Sequence, residues 1–242
     1  MIFSVRPQRL AWFVTMTKSE ARRLIYEGLR PVVEPAGFRV DKRAEGFVRK
    51  IDGGKQILGV ALWDYNPIVE FSLTMCVRLE AVQAIVNLFS GSPSKYHAET
   101  LTSITQLEHL GVPAEPGRGV RYRAESEPEL LGAVISMAGL IRERVIPFFD
   151  QHRDLAGLDW GLNSEDDESP RGPVWWPDRR SFDASNQPYR AMAVVAVAYL
   201  AGNPRLRALI ALYRGQLSAL PEPDRRKYEH LVAHLLGGYG PT

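Results

Sequence analysis

His230 and His234 stand four residues apart in "EHLVAHLLGG". On a helix that spacing puts both imidazoles on one face, which is how many zinc sites begin. The zinc-protease pattern places its glutamate base directly after the first histidine, whereas Glu229 precedes it here. The other reading is a pair of histidines in the final helical turn, where imidazolium complements the negative end of the helix dipole. The run "SEDDE" at 164–168 gathers carboxylates that could hold a hard cation, but it lacks the glycine and regularly spaced oxygens of a calcium loop. It reads as solvated linker, and no metal ligand is assigned.

His97 in "SKYHAE" and His152 could each serve as a base, yet the sequence ties no nucleophile to either. Cys76 lies in "VEFSLTMCVRLE", whose β-branched and aromatic residues read as a strand, so it is expected as a packed core thiol. No pair of acids has a glycosidase context, and the Gly-x-Ser-x-Gly elbow does not occur. No catalytic or cofactor-binding residue is assigned, and no cofactor is expected.

The glycines of "DGGK" at 52–55 pose a further choice. A phosphate-binding loop must open a helix, so that its amides and dipole meet the anion. Here β-rich sequence lies on both sides, and the glycines are expected at the positive φ of a tight hairpin. The remaining candidates are aromatic. Trp63 and Tyr65 flank Asp64 at a predicted strand end, and Trp175 and Trp176 interrupt a stretch rich in acids, proline and serine. Such aromatics beside charge anchor partner surfaces, or else they lock a linker to the sheet. These four residues are the candidate binding residues.

The elements that would position them follow from periodicity. Thr17 to Glu20 form a capping box, and Leu24, Ile25, Leu29, Val32 and Val33 recur at helical spacing until Pro35 and Gly37 stop the helix. Met16, directly before the box, could be a natural start. Strands are predicted over 38–42, 46–52, 56–64 and 68–79, joined by connections too short for parallel pairing. A short helix over 79–91 and a mixed strand-like segment from 100 come next. Then follows a long helix over 126–152, begun by a second capping box and kinked or ended by Pro147. Helices over 189–201, 204–220 and 222–236 complete the chain.

This is an α+β reading: an antiparallel meander packed by an N-terminal helix and a long helix, with a C-terminal helical layer. The expected divisions are an α+β domain at 1–162, a linker at 163–188 and a helical subdomain at 189–242.

Composition agrees with a self-sufficient core. The chain has 242 residues, 45% hydrophobic and 24% charged, with formal net charge +2 and one cysteine. A lone cysteine favours a reducing compartment, so a cytoplasmic location is expected. Basic pairs are diluted by acids, so no nucleic-acid partner is expected. No stretch reaches the roughly 20 apolar residues of a membrane span, and the N-terminal residues lack a signal-peptide cleavage pattern.

Leu29, Pro31, Gly37, Phe38, Phe47, Arg49 and the run from 68 to 77 together resemble a bacterial family, domain of unknown function forty-three-oh-four. The likeness covers roughly the first two thirds of the chain. It rests on a helix leading to a Gly-Phe, a strand bearing Phe-x-Arg and an alternating meander. The resemblance implies this fold and carries over no catalytic residues. Small bacterial α+β proteins of this outline often serve as immunity or antitoxin partners, so it also implies a protein-binding role. Three expectations follow: a non-enzymatic binding protein using one sheet face and the tryptophans; a small-ligand binder or enzyme with a pocket between the sheet and helix 126–152; and a structural module holding metal at His230 and His234.

Overall fold

In a computed structural model, which describes residues 16–115, 117–163 and 187–237, the first helix begins where its capping box places it. The Glu20 amide donates to Thr17 Oγ1 at 3.2 Å, and the Thr17 amide donates to Glu20 Oε2 at 2.8 Å. Two of the orphan donors of the first turn are thereby satisfied. This helix, α1 (Lys18–Val33), buries Ala21, Ile25, Leu29 and Val33 on one stripe.

Six antiparallel strands form the sheet: β1 (Arg39–Asp41), β2 (Gly46–Ile51), β3 (Gly54–Tyr65), β4 (Ile68–Leu79), β5 (Ser103–Gln106) and β6 (Tyr122–Ala124). The first four run as a meander. β5 pairs with β4 at Thr74 to Val77, and β6 pairs with β4 at Val69 to Phe71. Both sit on the edge of β4 that faces away from β3, so they share one position in the sheet.

The β2–β3 hairpin corrects one detail of the expected turn. Only Gly53 takes positive φ, at 65°. Gly54 is a strand residue that lacks room for a side chain, because a Cβ there would lie 2.0 Å from the Arg78 carbonyl oxygen.

Period two along β3 sorts the faces. Gln56, Leu58, Val60 and Leu62 are buried, while Ile57, Gly59, Ala61 and Trp63 alternate with them half-buried. The inner face receives α1, where Tyr26 packs on Phe47 with ring centroids 5.2 Å apart. It also receives α3 (Glu127–Leu140) and α4 (Ile146–Gln151), whose Phe149 meets Phe38 at 5.1 Å.

The expected single helix over 126–152 is therefore two helices, joined by a π-helical turn at Ile141–Val145. Pro147 supplies the reason: it has no amide donor, and its ring crowds the carbonyl four residues earlier, so the backbone widens just before it. The second capping box is absent as well. Ser126 caps nothing with its side chain, and Glu129 instead accepts from the Glu125 amide at 2.8 Å.

After α2 (Glu80–Phe89) and a 3-10 turn at Leu107–Leu110, the C-terminal half adds α5 (Leu155–Asn163), α6 (Gln187–Leu200), α7 (Leu206–Gln216) and α8 (Glu222–Leu235). α5 is a helix that periodicity did not reveal. Its last residue Asn163, read from sequence as the first of the linker, is buried, as is Leu162 before it.

Residues Ala191 to Ala198 of α6 are all buried, because the helix is apolar on every side and is surrounded by α2, α5, α7 and α8. Its core side chains belong to the same continuous cluster as those of the sheet. Asp159 ties α5 to the turn after α6, accepting from Asn163 Nδ2 at 2.7 Å and from Asn203 Nδ2 at 2.8 Å. Among the described residues, no helix is long and apolar enough to cross a membrane.

Candidate functional site

The sheet brings two of the four aromatic candidates into one cluster. Trp63 faces outward from β3, and its cross-strand partner on β4 is Glu70. On the other side of β4, Glu70 stands opposite Arg123 of β6. A carboxylate at this position sits inside a strand, and Glu70 is only 6% exposed. A buried charge persists when it is paired and hydrogen-bonded. The loop before β6 provides those bonds: Arg118 Nη2 donates to the carboxylate at 3.1 and 3.3 Å, and Arg121 Nη1 donates at 3.1 Å.

Arg121 then lies over the Trp63 ring, with its guanidinium carbon 4.2 Å from the centroid. A planar cation on an indole face is favourable both by stacking and by the ring quadrupole. Its hydrogen bond to Glu70 raises the Arg121 pKa above the ordinary arginine range, and Tyr65 adds in the same direction. Ser72 Oγ donates to the Val120 carbonyl at 2.6 Å, pinning the loop across the outer face. The loop thus holds two guanidinium groups against two carboxylates, Glu70 and Glu115, the latter 3.7 Å from Arg118 Nη1, beside an aromatic platform. Tyr65, 53% exposed, stands at the rim.

Away from this corner the outer face is low. Gly59 pairs with Thr74 and Ala61 with Ser72, so four small residues occupy its centre. Ile57 and the 43%-exposed Ile104 lie beyond them. Cys76, placed between Ile57 and Ile104 by the strand register, is on this outer face and is buried, the packed thiol that its strand-like surroundings predict. Burial still pushes its thiol up to about 12, so it stays protonated near neutral pH.

The other candidates disperse. His234 packs its ring on Phe89 at 5.3 Å, and His230 is exposed. Among the described residues, no three histidine, cysteine, aspartate or glutamate side chains are grouped to hold a metal. His97 Nε2 contacts the Ser92 carbonyl at 2.8 Å. His152 is buried, with Nδ1 2.7 Å from the Phe148 carbonyl, and burial lowers its pKa. Trp175, Trp176 and the acidic run at 164–168 lie outside the described residues.

The space between the sheet and α3, expected to hold a pocket, is filled by Leu130, Val134, Met137 and Ile141. α3 also packs closely on α1, where a Cβ on Gly28 would sit 2.4 Å from Val134 Cγ1. A cavity of about 290 Å³ lies elsewhere, beside β5 and the facing helices α5 and α6.

Sequence reasoning missed Glu70, Arg118 and Arg121. The available signal was an acid inside the apolar run "IVEFSL" and the alternating cations of "RGVRYR". What defines the protein at this stage is its α+β architecture with one helix-covered sheet face. No family model matches the chain, and comparison with curated proteins and with solved structures likewise gives no match.

Proposed function

We propose that this chain is a non-enzymatic, cytoplasmic protein-binding module of the immunity or antitoxin kind, whose contact surface is the outer sheet face. The observation that carries this reading is the Arg121 guanidinium stacked on Trp63 and braced by the buried Glu70. An aromatic residue and arginines held rigidly beside a low apolar strip have the composition of an interface hot spot. The half-exposed Arg118 side chain at this edge favours a partner that presents carboxylates able to take its remaining donors. The resemblance to domain of unknown function forty-three-oh-four is part of this proposal and points the same way. Trp175 and Trp176 remain candidate anchors on the same reasoning from sequence.

The test is affinity capture from a lysate of the source organism, comparing the native chain with Trp63→Ala and Arg121→Glu variants of unchanged circular dichroism. A stoichiometric acidic protein held by the native chain and lost from both variants is the expected result. A complex that survives both substitutions overturns the assignment of this face.

A further inference from the structure

We infer that residues 61–65 of β3 take up an extended segment of a partner protein as an added strand, one that carries a carboxylate opposite Trp63 and a cation opposite Asp64. This strand site rests on the proposed role of the Trp63 end as a protein contact, and it gives the form and charge pattern of what binds there.

The slot follows from the ladder. β2 pairs with β3 only over residues 54–59, and one further bond, from the Val60 amide to the Glu45 carbonyl at 3.0 Å, closes that side. Glu45 then turns the chain away, with φ 47°. On the other side β4 continues to the partner of Tyr65. Main-chain groups alternate in direction along a strand. The N–H and C=O of Leu62 and Asp64 therefore point as those of Val60 do, into the margin that β2 has left. Among the described residues no strand or loop bonds to them there. Five strand residues offer about 17 Å, and a bare row of main-chain donors and acceptors is what strand addition uses.

The side chains around the slot set the chemistry. Ala61, Trp63 and Tyr65 project to the outer face, and Leu62 and Asp64 to the other. A residue added opposite Trp63 comes alongside the Arg121 guanidinium that lies on the indole. Glu70 and the Arg118 carbonyl take one bond each from Arg121 Nη1 and Nε, and the N–H groups left over suit a carboxylate. Asp64 is exposed, and its Oδ1 accepts from the Asn66 amide at 3.1 Å. No lysine or arginine of the described residues pairs with it. A cation directly across the strands supplies that partner. Ala61 leaves room opposite for a large side chain, and the exposed Tyr65 favours an aromatic one.

A second copy of the chain fits less well. Antiparallel pairing of two such slots about Trp63 sets Asp64 against Leu62 and brings the two Arg121 groups together. Each Asp64 is then still without a cation.

The probe is the capped pentapeptide acetyl-Tyr-Lys-Glu-Val-Phe-amide. Paired antiparallel, it sets its lysine opposite Asp64, its glutamate opposite Trp63 and its phenylalanine opposite Ala61. Amide hydrogen exchange of the full chain is followed by NMR with and without it. The expected result is at least tenfold slower exchange of the Leu62 and Asp64 amides at saturating peptide. The charge-exchanged acetyl-Tyr-Glu-Lys-Val-Phe-amide, and the first peptide N-methylated at lysine and valine, should give no such slowing. Asp64→Pro removes one donor from the slot at an exposed position, so it should abolish peptide binding with little change in melting temperature. Absence of protection by the first peptide, or equal protection by all three, overturns the strand site. Protection in the chain alone that disappears on dilution identifies a second copy as the occupant and overturns it too. The captured complex separates this site from the reading on which it rests. A complex lost from Trp63→Ala but kept by Asp64→Pro removes strand addition and leaves the contact surface standing, whereas one kept by both removes the surface as well. Should Asp64→Pro fail to fold, the three peptides on the native chain decide alone.

Discussion

Gln56 and Phe149 are joined by a hydrogen bond of 2.5 Å, from the side-chain amide of a β-strand residue to a main-chain carbonyl near the end of α4. The same amide reaches the His152 carbonyl at 3.3 Å, and Gln56 Oε1 accepts from Arg49 Nε at 2.8 Å. A helix end leaves carbonyls without internal partners, and here a fully buried glutamine meets two of them while also holding an arginine.

Replacing Gln56 with leucine preserves bulk, removes the Gln56 donor from two carbonyls and the acceptor from Arg49 Nε, and leaves Arg49 Nη1 on Asp150 and the Ala36 carbonyl. The expected loss is about 2–4 kcal/mol of folding stability. Urea denaturation checks it: the midpoint should fall with little change in slope. A variant as stable as the native chain would show that the α4 end is satisfied by other means.

Stability should also fall in acid through the histidines. Burial lowers the pKa of His152 and of His109 below the ordinary 6.5, more than the Phe148 carbonyl and Glu108 respectively offset. As pH drops below about 6.5, the unfolded chain takes up these protons first. Stability therefore declines from there to the lowered folded pKa and then levels off, with a slope of at most about 1.4 kcal/mol per pH unit for each histidine. Urea midpoints between pH 7.5 and 5 should show this fall, and His152→Gln should reduce the slope. An unchanged slope in that variant would exclude His152 as a source.

The two hairpin glycines should differ sharply in how much a side chain costs. Gly54→Ala forces a Cβ to within 2.0 Å of the Arg78 carbonyl and must spread β3 from β4, so a cost above about 3 kcal/mol is expected. Gly53 has φ 65° and open space around its Cβ position. Gly53→Asn should cost only a few tenths of a kcal/mol, since asparagine tolerates that backbone region. Thermal melts of the pair distinguish steric from conformational need.

Much of this architecture was legible where a pattern is long. α1 and β4 have the predicted limits, because sixteen residues of helical period and twelve of strand-like sequence leave little competition. The meander followed from its short turns. β6, with three residues, and α5, whose start is broken by Asp154 and Gly157, were too brief or too interrupted to stand out. The Glu70 cluster was hidden for another reason: Arg118 and Arg121 lie 48 and 51 residues away in sequence and meet it only because β6 returns to β4. Trp63 and Tyr65 were visible as an aromatic pair, but the cation between the sheet and the loop was not.

That return of β6 also limits how the protein can meet copies of itself. With β5 and β6 sharing one side of β4, the sheet ends in a four-residue and a three-residue strand, and its opposite margin is the three-residue β1. A long bare margin would template strand addition from another chain, and short margins resist it. The twelve-residue β4 has β3 along one side and β5 and β6 along two stretches of the other, whereas β2 pairs only with the first half of β3, so residues 61–65 of β3 have a strand neighbour on one side, β4. Among the described strands, the margin with room for an added strand is therefore residues 61–65 of β3, beside Trp63, while the rest of the sheet edge is short.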